Sequence, residues 1–145
     1  MNTIQSARQP GQGTRNGLMW LLYLCDAGLL IASGSIHLHL WFIAYRHVKT
    51  LDALFLVQVV LAFLAALALL ATRRLLVMLA SAALMAGTIA GFLLARTVGI
   101  FGFRLTFSST EAYIVLVVEA AAVVLLICTA WLIFSRYPSR SPRHG

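Results

Sequence analysis

The chain has 145 residues, of which 61% are hydrophobic and 10% charged, whereas about a quarter of a water-soluble domain is charged. Its mean hydropathy of +0.93 supplies more apolar side chains than a small globule can hide, because roughly a third of the unfolded-chain surface stays wet at this size. Lipid is therefore the expected solvent, and four spans of about 20 residues each would occupy most of the chain and leave no room for a soluble catalytic domain.

In chain order, residues 1–17 (MNTIQSARQPGQGTRNG) are polar and carry Arg8 and Arg15 but no acid. Such a segment cannot bury a core and is predicted to be a disordered tail. A first span is predicted over residues 18–44, from Leu18 to Ala44. After the polar link YRHVKTLD, residues 53–71 form a second span interrupted by Gln58, and Arg73 and Arg74 mark a tight turn into a third span over 75–95. The stretch RTVGIFGFRLTFSST, from Arg96 to Thr110, mixes charge, glycine and phenylalanine and is expected to lie at a membrane interface. Residues 111–134 make the fourth span, broken by Glu119, and residues 135–145 are a basic, proline-containing tail. The fold class predicted is thus all-α: a polytopic membrane protein with a four-helix transmembrane bundle. A cleaved signal peptide is the rival reading of the first span, but Asp26 interrupts its core and the apolar run continues past Ala32, Ser33 and Gly34.

Orientation follows the basic residues of short loops and tails, acids counting for little. Seven (Arg8, Arg15, Arg73, Arg74, Arg136, Arg140 and Arg143) fall on the side of the termini, and four (Arg46, Lys49, Arg96 and Arg104) on the other. Both termini are expected in the cytoplasm and the protein in the plasma membrane. Trp20, Tyr23, Trp131, Phe134 and Tyr137 would then form an inner aromatic belt, and Trp41, Phe42, Tyr45, Phe101, Phe103 and Tyr113 an outer one. The net charge of +7 is accounted for by anionic lipid head groups and calls for no nucleic acid.

Ionisable groups inside a span cost about 2.5–3.5 kcal/mol each, so each needs a partner or a purpose. Asp26 and His37 are separated by three helical turns plus about 20°, which puts them on one face about 16 Å apart, and Ser33 lies near the same stripe. Asp26 sits nearer the inner end, where it can reach the interface. His37, Gln58, Arg96 and Glu119 come one from each span at a similar outer depth, so a single cluster is expected, with Glu119 paired to His37 or Arg96. The cluster serves helix register, a ligand or proton site, or contact with a membrane protein partner or a second copy.

Metal and haem chemistry is weakly supported. His37 and His39 are about 200° apart on a helix, and no other span carries a histidine, so a surface copper site of His37 or His39 with His47 is the remaining option, with no cofactor expected. His144 belongs to the tail. Cys25 and Cys128 fall in the cytoplasmic halves of their spans, where they are expected as small apolar residues rather than a disulfide. Ala83, Gly87 and Gly91 repeat at spacing four and predict a face where another helix comes close, within the bundle in preference to a dimer. Nucleophile elbows, phosphate loops and zinc helices are all missing from the sequence, so no enzymatic activity is expected.

Two passages, HLHLWFIAYRHVKTLDALFLVQ (residues 37–58) and TIAGFLLARTVGIFGF (residues 88–103), together with Glu119, resemble small four-span integral membrane proteins of actinobacteria. The resemblance covers residues 18–134 and implies the four-span topology, adding no substrate, cofactor or catalytic residue. A non-enzymatic accessory, assembly or binding subunit is the leading functional expectation. The alternative is a proton- or ion-coupled carrier or an embedded metal site built on His37 and Glu119, against which stand the lack of visible inverted repeats and of any proline inside a span.

Overall fold

A computed structural model describes residues 12–47, 50–99 and 110–135. The expectations for the two tails beyond these limits, for Lys49, for Arg104 and for most of the GIFGF passage lie outside the described residues. Four α-helices follow one another: α1 (Gln12–Leu40), α2 (Leu51–Thr72), α3 (Leu75–Thr97) and α4 (Thr110–Phe134), with a π-helical turn at Trp41–Tyr45 closing α1. All four are long and apolar enough to cross a membrane.

The predicted spans and the helices agree to within a few residues, except at the start. The α1 helix begins at Gln12 rather than at Leu18, because a helix once nucleated gains a hydrogen bond per added residue and no proline stops it here. Residues 12–17, expected in the polar tail, are therefore helical.

Each helix packs on its sequence neighbour, and α1 also packs on α4, which closes the ring; α2 and α3 touch least. Arg73 makes the α2–α3 turn in the left-handed region (φ 51°) and Arg74 in extended backbone. The Arg73 guanidinium lies 3.6 Å over the Trp20 ring, a cation–π contact that ties the turn to α1. At Gly34 α1 comes close to α2: a Cβ there would lie 3.2 Å from Ala62 Cβ. The close approach expected at Ala83, Gly87 and Gly91 does not occur. Ala83 and Gly87 are exposed, and a Cβ at Gly87 or Gly91 would meet nothing within 4 Å, so this stripe of α3 faces open space and not a neighbouring helix.

Packing differs between the two ends of the bundle. The apolar core (Tyr23, Ala27 and Leu30 of α1; Ala62, Ala66 and Leu69 of α2; Met78, Ala82 and Met85 of α3; Ala122 and Leu126 of α4) fills the half nearer the termini. Tyr23 thus belongs to this core, not to an aromatic belt, whereas Trp20, Trp131, Phe134, Phe42 and Tyr113 are exposed as expected of belts. Outside, the surface is oily: Leu67, Leu76, Val117, Val124 and Trp131 are all more than half exposed. Inside, Asp26, Ser33, His37, Gln58, Ser81, Glu119 and Thr129 are buried. This arrangement inverts the distribution that water imposes.

Candidate functional site

Among the described residues, the half of the bundle away from the termini is loosely filled. A cavity of about 350 Å³ opens there, with contributions from all four helices and the π turn. Its walls are mainly apolar, led by Leu54, Phe55, Phe92 and Val115, and its polar groups are His37, Gln58, Thr88 and Glu119. Gly87 and Gly91 leave α3 without side chains along one wall. The small-residue stripe therefore makes room instead of bringing a helix close.

The π turn shapes the entrance. Widening the helix by one residue is a local distortion often found at functional positions, and here it turns Trp41 and Tyr45 back toward α2. Trp41 Nε1–H donates to Asp52 Oδ1, and the Tyr45 ring stacks on Phe55 at 4.5 Å. Phe55 in turn lies 5.4 Å from the His37 ring.

His37 and Glu119 meet across the α1–α4 seam, Nε2 to Oε1, at 3.6 Å. His37 Nδ1 lies 2.9 Å from the Ser33 carbonyl oxygen. A carbonyl only accepts, so Nδ1 carries a proton and Nε2 is the nitrogen offered to Glu119. One further proton between Nε2 and the carboxyl leaves the pair neutral overall, whichever atom holds it. Ser33 and Thr88 turn their hydroxyls toward the same carboxyl, but at looser geometry than a closed bond. Thr88 Oγ1 donates at 2.7 Å to the Met85 carbonyl, and both Glu119 oxygens, Ser33 Oγ and Gln58 Nε2 have no hydrogen-bond partner although buried.

Of the four residues expected to cluster, His37, Gln58 and Glu119 line one cavity and Arg96 does not. Ala95 lines it, while Arg96 is exposed. Arg96 sits in the last turn of α3, from which its long side chain keeps the guanidinium outside the bundle and avoids a large desolvation cost. Asp26 does not reach an end of the bundle: it is fully buried in the packed half. Thr129 lies beside it, with its hydroxyl donating to the Leu125 carbonyl at 2.9 Å. Sequence reasoning missed Thr129 and Thr88, since a hydroxyl in an apolar span satisfies its own helix backbone and gives no pattern.

The histidines proposed for copper are dispersed. His37 is buried, His39 is exposed on the other side of α1, and His47 Nε2 accepts from Arg46 Nε–H at 2.9 Å. Among the described residues no three His, Cys, Asp or Glu side chains gather. Cys25 and Cys128 are exposed free thiols.

Architecture and site together define a four-helix bundle with an apolar exterior and a polar-tipped, partly open cavity. No family model, curated protein or solved structure matches the chain.

Proposed function

We propose that this chain is a non-enzymatic, four-span protein of the plasma membrane that binds a small lipophilic molecule in its cavity. The observation that carries the reading is the loosely filled half of the bundle. A volume of about 350 Å³ with apolar walls and a few convergent polar groups falls in the range of roughly 300–1,000 Å³ typical of small-molecule sites. A bundle built only to hold itself together would fill that space; in the other half the recess beside Leu29 and Val124 is a shallow groove on the outer surface, not a space between the four helices. The sparse α2–α3 contact supplies a lateral route from the bilayer, with Leu54 and Gly87 exposed on its two sides. A carrier reading is less favoured because His37 and Glu119 are separated from Asp26 by the packed side chains of Ala27, Leu30, Ala122 and Leu126.

The binding reading is tested by blocking the space. Gly91→Trp places an indole where a Cβ meets nothing, so the fold is expected to survive with its melting temperature unchanged or raised. A lipid-soluble aryl diazirine should label peptides containing Phe55 and Phe92 in the wild type, and this labelling should fall to background in the variant. Equal labelling of both proteins would overturn the reading.

The orientation, with both termini cytoplasmic and the cavity in the outer half, rests on the seven-to-four division of basic residues. A reporter active only outside the cytoplasm is expected to give signal when fused at Ser109 and none when fused at Arg74. The reverse pattern would place the cavity in the inner half.

A further inference from the structure

Building on the binding reading, we propose that the guest is a neutral, lipid-soluble alcohol or phenol whose hydroxyl donates to Glu119 and accepts from Gln58. Its apolar body lies along Phe55 and Phe92, and any longer tail leaves between α2 and α3 into the lipid. Three observations select this chemistry over other lipophiles.

The first is the hydrogen-bond deficit. The Gln58 Nε2 amide is a buried donor without an acceptor, the two Glu119 oxygens are buried with no donor at hydrogen-bond distance, the Ser33 and Thr88 hydroxyls and His37 Nε2 standing off from them, and both side chains line the same cavity. Unmatched buried groups are expensive, and a guest that matches them recovers that cost. A hydroxyl is the smallest group that accepts and donates at once from a single atom. A ketone or ester would satisfy Gln58 and leave Glu119 unmatched, and a hydrocarbon would satisfy neither.

The second is charge. No Lys or Arg lines the cavity among the described residues, so an anionic head group would meet only the His37–Glu119 pair, neutral overall, and no fixed positive charge to hold it. His37 faces that carboxyl at 3.6 Å, and with one proton between them the pair is neutral. An organic cation would have to expel that proton, whereas a neutral hydroxyl leaves the pair intact because a carboxyl keeps an acceptor oxygen in either state.

The third is shape. Tyr45, Phe55 and His37 form a contiguous ring cluster, with Tyr45 stacked on Phe55 and His37 tilted against it, and Gly87 and Gly91 leave the α3 part of the cavity wall without side chains. A flat or chain-like apolar body fits along such a wall, and contact with the ring cluster favours an aromatic one.

The experiment uses the full chain in lipid nanodiscs, with binding of tritiated 4-octylphenol measured above that of empty discs. Octylbenzene, 4-octylacetophenone and a 4-octylbenzyl trimethylammonium salt serve as competitors. Unlabelled octylphenol is expected to compete at least about tenfold better than octylbenzene, as two added hydrogen bonds imply, with the ketone between them and the cation weakest. Gln58→Leu should lower octylphenol affinity to near that of octylbenzene while leaving octylbenzene itself unchanged. If that variant does not fold, the wild-type competition series alone decides. Equal competition by octylbenzene and octylphenol would overturn the hydroxyl assignment while leaving the binding reading standing, provided diazirine labelling at Phe55 and Phe92 still responds to Gly91→Trp. Tightest binding by the ammonium salt would likewise overturn it in favour of a cation site. No binding by any probe, together with no diazirine labelling, would remove both.

Discussion

Replacing His37 with Leu is expected to destabilise the bundle by about 3–5 kcal/mol, and replacing Glu119 with Leu by a similar amount, while the double replacement recovers much of the loss. Each single change strands a buried polar partner. In His37→Leu the Glu119 carboxyl, with no exposed surface, keeps only the loosely placed hydroxyls of Ser33 and Thr88. In Glu119→Leu the His37 Nε2 atom faces a methyl group while Nδ1 remains tied to the Ser33 carbonyl. The double variant has two leucines across the α1–α4 seam, beside a cavity with room to accommodate them. Because the double variant is expected to lose less than either single one, reversible unfolding in mixed micelles should give a coupling energy of about 3 kcal/mol or more, at the top of the range for groups in contact. Effects that add to within about 0.5 kcal/mol would show that the pair is not coupled. Arg96→Gln provides the control: exposed and outside the cavity, it should not couple to Glu119 at all.

The pairing was legible in the sequence because it depends only on depth and rotation. Asp26, Ser33 and His37 share a stripe at helical spacing, and the alternating direction of four spans brings Glu119 to the level of His37 and Gln58. Other features depended on how the helices lean against one another. A displacement of one position turns a side chain by about 100°, so Ala95 faces the cavity while Arg96 does not. Gly87 and Gly91 carry the spacing of a helix-packing motif, but spacing does not say whether a partner helix arrives. Here α2 and α3 touch least, while Gly34, which the sequence does not distinguish from other glycines, takes the close contact with Ala62. The cavity itself is a missing volume, and no residue type marks it. Its aromatic wall arises from the π turn that carries Tyr45 onto Phe55, a one-residue widening with no pattern in WFIAY.

The uneven packing of the two halves should appear directly in stability. Leu30 and Leu126 are fully buried in the packed half, and truncating either to Ala removes contacts on all sides. In water such a change costs about 2–5 kcal/mol, part of it from transfer and part from the void left behind. For a bundle in lipid the transfer part largely vanishes, because the unfolded helices are also surrounded by hydrocarbon. The void part remains, so a loss of about 2 kcal/mol is expected at each position. Leu40 and Val115 line the cavity and already lack neighbours on one side, so the same truncation there should cost less than about 1 kcal/mol, since atoms facing a gap have few contacts to lose. Adding volume reverses the order. Ala95→Leu projects new methyl groups into the cavity and should stabilise the empty protein, whereas Ala122→Leu, at a position with no exposed surface, should cost about 1–3 kcal/mol through overpacking. Unfolding of the six variants in one detergent mixture tests the ordering. Equal costs for Leu30→Ala and Leu40→Ala would mean that the far half is as tightly packed as the near one, and that the space assigned to a guest is closed in the folded protein.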